Sequence, residues 1–74
     1  MEARIRQVMA DILGIDAAAI GAGTSMETVE SWDSAAHISL VAALEEEFGT
    51  SLGVEEIEAM LSFRKIVELL ATRG

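Results

Sequence analysis

The sequence contains no cysteine and no proline, and its only histidine is His37. Without cysteine there is no disulfide, no thiolate nucleophile and no sulfur ligand, and one imidazole cannot complete a zinc site. We therefore expect neither thiol chemistry nor a structural metal. Aliphatic side chains are abundant instead: 51% of the 74 residues are hydrophobic, which is too many for a disordered segment.

Basic residues are also scarce. The chain has five Lys and Arg residues against 13 Asp and Glu residues, which gives a net charge of −8. The phosphate backbone of a nucleic acid repels such a chain. The basic residues are scattered, at Arg4, Arg6, Arg64, Lys65 and Arg73. We therefore expect no nucleic-acid partner, and basic protein surfaces are better candidates.

Long apolar runs are missing as well. The longest run, Leu40–Leu44, is far shorter than the roughly 18 to 20 residues of a membrane span. The N-terminus lacks the apolar segment of a secretory signal, which favours a cytoplasmic location. Seventy-four residues suffice for one small domain. We expect a single monomeric domain over residues 1–74, with little room for a buried active-site pocket.

Hydrophobic spacing predicts an all-α domain, a small bundle of four helices, and no strand pattern is present. The first helix is expected near residues 2–13, with Gly14 as its stop signal. A loop of nearly twenty residues follows, from Ile15 to Asp33. Loops of this length are functional or contain a short helical turn, and we expect this one to be anchored by its apolar residues.

Capping residues place the remaining helices. The second helix opens at Asp33-Ser34 and runs to Phe48 before Gly49. A short acidic third helix is expected over residues 55–61, and Ser62 caps a fourth helix over about residues 63–72. The residues expected on the inward face of the second helix are Ile38, Val41, Leu44 and Phe48.

The start of the second helix is the first candidate site. Ser34 stands there with an exposed hydroxyl, where unpaired backbone N–H groups and the helix dipole stabilise an anion. A phosphodiester built on Ser34 suits this position. The alternative is that Asp33 and Ser34 only cap the helix, which such residues commonly do.

Two further features carry competing interpretations. Glu45, Glu46 and Glu47 lie at the negative end of the helix dipole, where carboxylates are unfavourable, so they form either an acidic docking patch or a solvated polar face. Ser34 and His37 have the spacing of a nucleophile and a base, but no acid is placed to orient the imidazole. A hydrolytic pair is therefore disfavoured, and we interpret His37 as an ordinary surface or half-buried helix residue.

Several segments together resemble one family. They are Trp32-Asp33-Ser34, Leu40-Val41 and the stretch from Ala43 to Gly49, supported by Leu13-Gly14-Ile15, Thr24-Ser25-Met26 and Ser62. In this order they make the chain similar to an acyl carrier protein over nearly its whole length. The resemblance implies a four-helix domain with three longer helices, a short third helix and a long loop between the first two.

The resemblance also implies a function. Ser34, with Asp33 beside it, would receive 4′-phosphopantetheine from coenzyme A through a phosphopantetheinyl transferase, and the arm's thiol would carry an acyl group as a thioester. Ser34 would then be a substrate and not a catalyst. Acyl-activating, acyl-transferring or condensing enzymes with basic patches would dock on Glu30, Asp33, Glu45, Glu46 and Glu47. The acyl chain would enter a cavity lined by Ile38, Val41 and Leu44.

Departures from the family pattern narrow the type of carrier. Ala35 replaces the Leu or Met that commonly follows the modified serine, and Ala36, His37 and Ser39 include no acid where fatty-acid carriers often have one. We therefore expect a specialised carrier for a lipid, polyketide or other secondary pathway over the carrier of housekeeping fatty acid biosynthesis. The alternatives are an aminoacyl or peptidyl carrier, although the Gly-Gly-x-Ser signature of peptidyl carriers is absent, and an unmodified acidic interaction module.

Overall fold

A computed structural model of the chain describes residues 1–72. It contains four α-helices: α1 (Glu2–Leu13), α2 (Ser34–Phe48), α3 (Val54–Ala59) and α4 (Phe63–Ala71). Within residues 1–72 there is no strand, and the isolated β-bridge between Ser25 and Ser62 is the nearest approach to one. The predicted all-α bundle with a long first loop is confirmed. No helix in this part of the chain has the length and apolarity needed to cross a membrane.

Glycines end the two longest helices as predicted. Gly14 has φ 68° and donates its N–H to the Ala10 carbonyl at 2.8 Å, and Gly49 has φ 61° with its N–H on the Glu45 carbonyl. Both lie in the left-handed region, which glycine adopts without the steric cost of a Cβ. These turns set the ends of α1 and α2.

The short helix α3 differs from its predicted range. It begins one residue earlier, at Val54, because the Glu56 carboxylate accepts the Gly53 N–H at 2.8 Å and closes the first turn. It ends at Ala59, two residues earlier, because Met60 leaves the helical region and buries its side chain completely. The last helix, α4, has Ser62 as its N-cap as predicted and ends at Ala71, one residue before the predicted end.

The core lies between α1, α2 and α4. Of these helices, α1 packs against both of the others. The buried side chains of the three helices are Ile5, Met9, Ala10 and Leu13, then His37, Leu40, Val41 and Leu44, and then Phe63, Ile66 and Leu70. Ile20, Trp32, Leu52 and Met60 complete the core from the connecting segments. In contrast, α3 contributes no fully buried side chain.

The predicted inward face of α2 is wrong for one residue, Ile38. Ile38 is 69% exposed, whereas Val41 and Leu44 are buried and Phe48 is half-buried against the core. The buried positions of α2 are 37, 40, 41 and 44, a single helical stripe from which position 38 is turned by one residue. Hydrophobic spacing favours the apolar Ile38 over the adjacent polar His37 as an inward-facing residue.

The long first loop is anchored, as predicted. A 3-10 turn at Ala17–Ala19 is the short helical turn expected there. The Ser31 hydroxyl donates to the Leu13 carbonyl at 2.8 Å, and the Arg6 Nε donates to the Ile20 carbonyl at 3.0 Å. Trp32, at the end of the loop, is 1% exposed. The anchored loop therefore fixes the position at which α2 begins.

Candidate functional site

At the start of α2, Asp33 caps the helix and Ser34 is exposed. Asp33 is the N-cap, with extended backbone, and its carboxylate accepts the Ala36 N–H at 2.8 Å. Ser34 is the first residue of the helix and is exposed, and its hydroxyl makes no hydrogen bond to any residue in 1–72. The alternative in which both residues only cap the helix therefore does not describe Ser34. Asp33 caps alone, which leaves the Ser34 hydroxyl available.

The backbone around Ser34 favours an anion. The first N–H groups of an α-helix have no acceptor within the helix, and here those of Ala36 and His37 are taken by the side chain and carbonyl of Asp33. The N–H groups of Ser34 and Ala35 have no acceptor among the described residues. Together with the positive end of the helix dipole, they stabilise a phosphate attached at this point.

A buried pair of aromatic rings lies under this turn. The Trp32 Nε1–H donates to Nδ1 of His37 at 3.0 Å, and Nε2 of His37 lies 2.8 Å from the Ile57 carbonyl in α3. Since the indole N–H can only donate, Nδ1 must accept, so the neutral ring carries its proton on Nε2 and donates it to Ile57. His37 is only 7% exposed. The interpretation of His37 as a surface or half-buried residue is wrong.

This geometry does not support a Ser34–His37 hydrolytic pair. Both ring nitrogens of His37 are engaged, one by Trp32 and the other by Ile57. No lone pair is left to accept a proton from Ser34, whose hydroxyl faces solvent. The two residues share a helix but not a site. The spacing 37, 40, 41 and 44 places His37 on the buried stripe of α2, but burial of a polar ring also requires partners from other segments, which the spacing does not show.

The acidic residues at the end of α2 do not form a uniform patch. Glu45 is half-buried, and its carboxylate accepts the Leu52 N–H at 2.8 Å. Glu47 forms an ion pair with Arg4 of α1. Only Glu46 of the three is exposed without a partner among residues 1–72. The contact from Leu52 offsets the unfavourable position of Glu45 at the negative end of the helix dipole.

Charge is strongly segregated along the chain. Eleven of the 13 acidic residues, and no Lys or Arg, lie between Arg6 and Arg64. The basic residues in the described part belong to α1 and α4, which pack together. Arg6 also lies over the Phe63 ring at 5.0 Å and pairs with Glu2 at 3.6 Å, whereas Arg73 lies outside the described residues. The loop, α2 and α3 therefore carry most of the negative charge of the chain, and Asp33 and Glu30 are the acidic residues nearest to Ser34 in the sequence.

The residues predicted to line an acyl cavity fall on two sides of α2. Val41 and Leu44 are buried in the core, next to Leu40. Ile38 is on the outer surface and does not line the interior. The half-buried Ile57 of α3 packs against the edge of this core. Any interior space for a bound chain would thus have to open beside Val41 and Leu44, without Ile38.

A comparison with protein families agrees with this arrangement. A family model described as "Phosphopantetheine attachment site" matches residues 3–70. The match covers nearly all of the chain, and the chain belongs to this family. The protein is therefore a phosphopantetheine carrier, a class whose members bear covalently attached 4′-phosphopantetheine and are not themselves catalysts. The resemblance identified from the sequence is confirmed.

Proposed function

We propose that Ser34 is the attachment residue and that the protein carries acyl groups as thioesters on the 4′-phosphopantetheine arm. The observation that carries this proposal is the exposed, unpartnered Ser34 hydroxyl at the first position of α2. When bound, the arm supplies a thiol, which the chain itself lacks. In the transfer from coenzyme A, the Ser34 oxygen forms a bond to the phosphorus next to the pantetheine arm and loses its proton, the pyrophosphate P–O bond of coenzyme A breaks, and adenosine 3′,5′-bisphosphate leaves. Asp33 keeps the helix start in place.

Four of the other five serines fit this role less well for reasons the structure gives. Ser25 accepts the Glu27 N–H, Ser31 donates to Leu13, and Ser62 caps α4. Ser39 is exposed, but it lies inside α2, where the backbone N–H groups are used within the helix. Ser34 thus combines an exposed hydroxyl with backbone donors for a phosphate.

The acidic surface supports docking on basic partners. Glu30, Asp33 and Glu46 are exposed on the segments that flank or form α2, and Glu45 and Glu47 add charge at its end. A phosphopantetheinyl transferase, followed by acyl-activating, acyl-transferring or condensing enzymes with basic patches, would meet this surface. Complementary charge speeds association more than it strengthens the final complex.

The small residue after Ser34 supports a specialised acyl pathway. Ala35 is exposed and offers little apolar area to a partner, and neither Ala36 nor Ser39 supplies a charge. The proposal is therefore a carrier for a lipid, polyketide or other secondary pathway, and we further propose that it acts as a monomer in the cytoplasm. An aminoacyl or peptidyl cargo is the alternative, and the cargo itself distinguishes the two.

Transferase labelling tests the attachment residue. The protein is incubated with coenzyme A and a broad-specificity phosphopantetheinyl transferase, and intact and peptide mass spectra are recorded for wild type, Ser34→Ala and Ser39→Ala. Wild type and Ser39→Ala are expected to gain one phosphopantetheinyl group on the peptide containing Ser34, and Ser34→Ala none. Labelling of Ser34→Ala would overturn the assignment.

The cargo is read from protein purified from its host. Mass spectra of the phosphopantetheinyl peptide, taken before and after thioester cleavage, identify the attached group. A fatty acyl or polyketide group is the expected result. An amino acid would support the alternative carrier type while leaving Ser34 as the attachment residue.

A further inference from the structure

His37 connects three segments around the candidate attachment site. It belongs to α2, accepts a hydrogen bond from Trp32 in the turn before Ser34, and donates one to Ile57 in α3. The rings of Trp32 and His37 are also close, with centroids 5.9 Å apart. A displacement of α3 away from α2 would therefore break the hydrogen bond between His37 and Ile57.

The third helix is otherwise lightly attached. It has six residues, none of them fully buried, and α1 packs against α2 and α4 but not extensively against α3 within residues 1–72. Its flanking residues Leu52 and Met60 are buried, so α3 is held at its two ends. Elements with few buried contacts open locally at low free energy.

We propose that His37 is a positioning residue that latches α3 onto α2 through its Nε2–H bond to Ile57. His37 and Val41 are one turn apart on the same face of α2, so release of this bond uncovers the part of the interior nearest the attachment site. On the proposed function, the latch sets how readily a group carried on Ser34 enters the core beside Val41.

Two amide substitutions each remove one of the two hydrogen bonds of His37 and keep the other. An asparagine places an amide group near the position of Nδ1 and keeps an acceptor for Trp32, but it does not reach Ile57. A glutamine places its amide near Nε2 and keeps a donor for the Ile57 carbonyl, but it removes the acceptor for Trp32. His37→Asn should therefore release α3, whereas His37→Gln should retain it and free the indole.

Hydrogen exchange and tryptophan fluorescence of the unmodified protein provide the readouts. In His37→Asn the amides of residues 57–60 should exchange about 3- to 10-fold faster than in wild type, as expected for loss of one hydrogen bond. The amides of α1 should change less. In His37→Gln the α3 amides should keep their protection, and the emission of Trp32 should shift. Equal acceleration in α1 and α3 would show a merely structural role and overturn the proposal.

A measurement on wild type keeps the proposal testable should either variant fail to fold. Nitrogen chemical shifts of the His37 ring should show a neutral ring protonated at Nε2, and a ring protonated at Nδ1 would overturn the latch. Modified protein then gives a functional readout: because release of α3 lets the carried group enter the interior more readily, a thioester on the arm should hydrolyse more slowly in His37→Asn than in His37→Gln. Because exchange and ring shifts are measured without the arm, failure of the latch is distinct from failure of Ser34 as the attachment residue.

Discussion

At the residue scale, Asp33 and Ser34 have different roles at the start of α2. The Asp33 carboxylate satisfies the Ala36 N–H, and the Ser34 hydroxyl satisfies nothing among the described residues. Stability and reactivity therefore rest on different side chains. This separation can be measured by substitution.

Replacing Asp33 by alanine should lower the free energy of unfolding by about 1 kcal/mol, the usual effect of losing an N-cap. Asp33→Asn keeps an acceptor oxygen and should recover most of that loss. Ser34→Ala should change stability by no more than about 0.5 kcal/mol, as at other exposed sites without partners. Urea denaturation followed by circular dichroism measures all three. A larger loss in Ser34→Ala than in Asp33→Ala would contradict the assigned cap.

The Trp32–His37 bond supports a second prediction at this scale. Trp32→Phe retains an aromatic ring in the core but removes the indole N–H, so Nδ1 of His37 loses its donor. Leaving that buried nitrogen unpaired should destabilise the protein by about 1 to 3 kcal/mol. Thermal and urea unfolding provide the measurement. The control is the same substitution in a His37→Phe background, where a smaller loss is expected because the bond is already gone.

At the scale of the helices, left-handed glycines fix where α1 and α2 end. Gly49 has φ 61°, a conformation that costs residues with a Cβ roughly 1 to 2 kcal/mol. Gly49→Ala should lower the free energy of unfolding by an amount of this order. Gly23→Ala is the matched control, because Gly23 lacks a positive φ and nothing crowds an added Cβ there. Equal losses in the two variants would show that helix termination is not the cause.

The helix boundaries show what the sequence can predict. The start of α4, the end of α1 and both ends of α2 follow from local signals, such as the Ser62 cap and Gly14, which act within one turn. The end of α3 depends on the burial of Met60 against distant helices, a tertiary effect with no local marker. His37 was misplaced for a related reason. Its burial is possible only because Trp32 and Ile57, from other segments, satisfy both of its ring nitrogens.

At the scale of the whole molecule, most of the negative charge lies on the first loop, α2 and α3, while the positive charge of the described residues lies on α1 and α4. Such a separation orients a basic partner before contact, and it acts on the association rate. Glu30 and Glu46 are the exposed carboxylates best placed to report this effect, because neither has a partner in the described part of the chain.

The double substitution Glu30→Gln and Glu46→Gln should therefore slow association with the transferase several-fold at low salt. The difference should shrink toward about 1 M salt, where the screening length is about 3 Å. Stopped-flow binding measures both conditions. The control is Glu2→Gln with Glu68→Gln, which removes the same charge from α1 and α4 and should slow association less. Equal effects from the two pairs would assign the steering to net charge alone.

The unpartnered hydroxyl of Ser34 also bears on how the protein is used repeatedly. A side chain that contributes no contact to the native state can be esterified and released again without loss of a native interaction, and the attached phosphate only adds a contact with the N–H groups at the start of α2. On the proposed assignment, the proportions of unmodified, modified and loaded chains are set by the enzymes that add and remove the group. The scaffold therefore keeps all of its own native contacts through every cycle of loading and unloading.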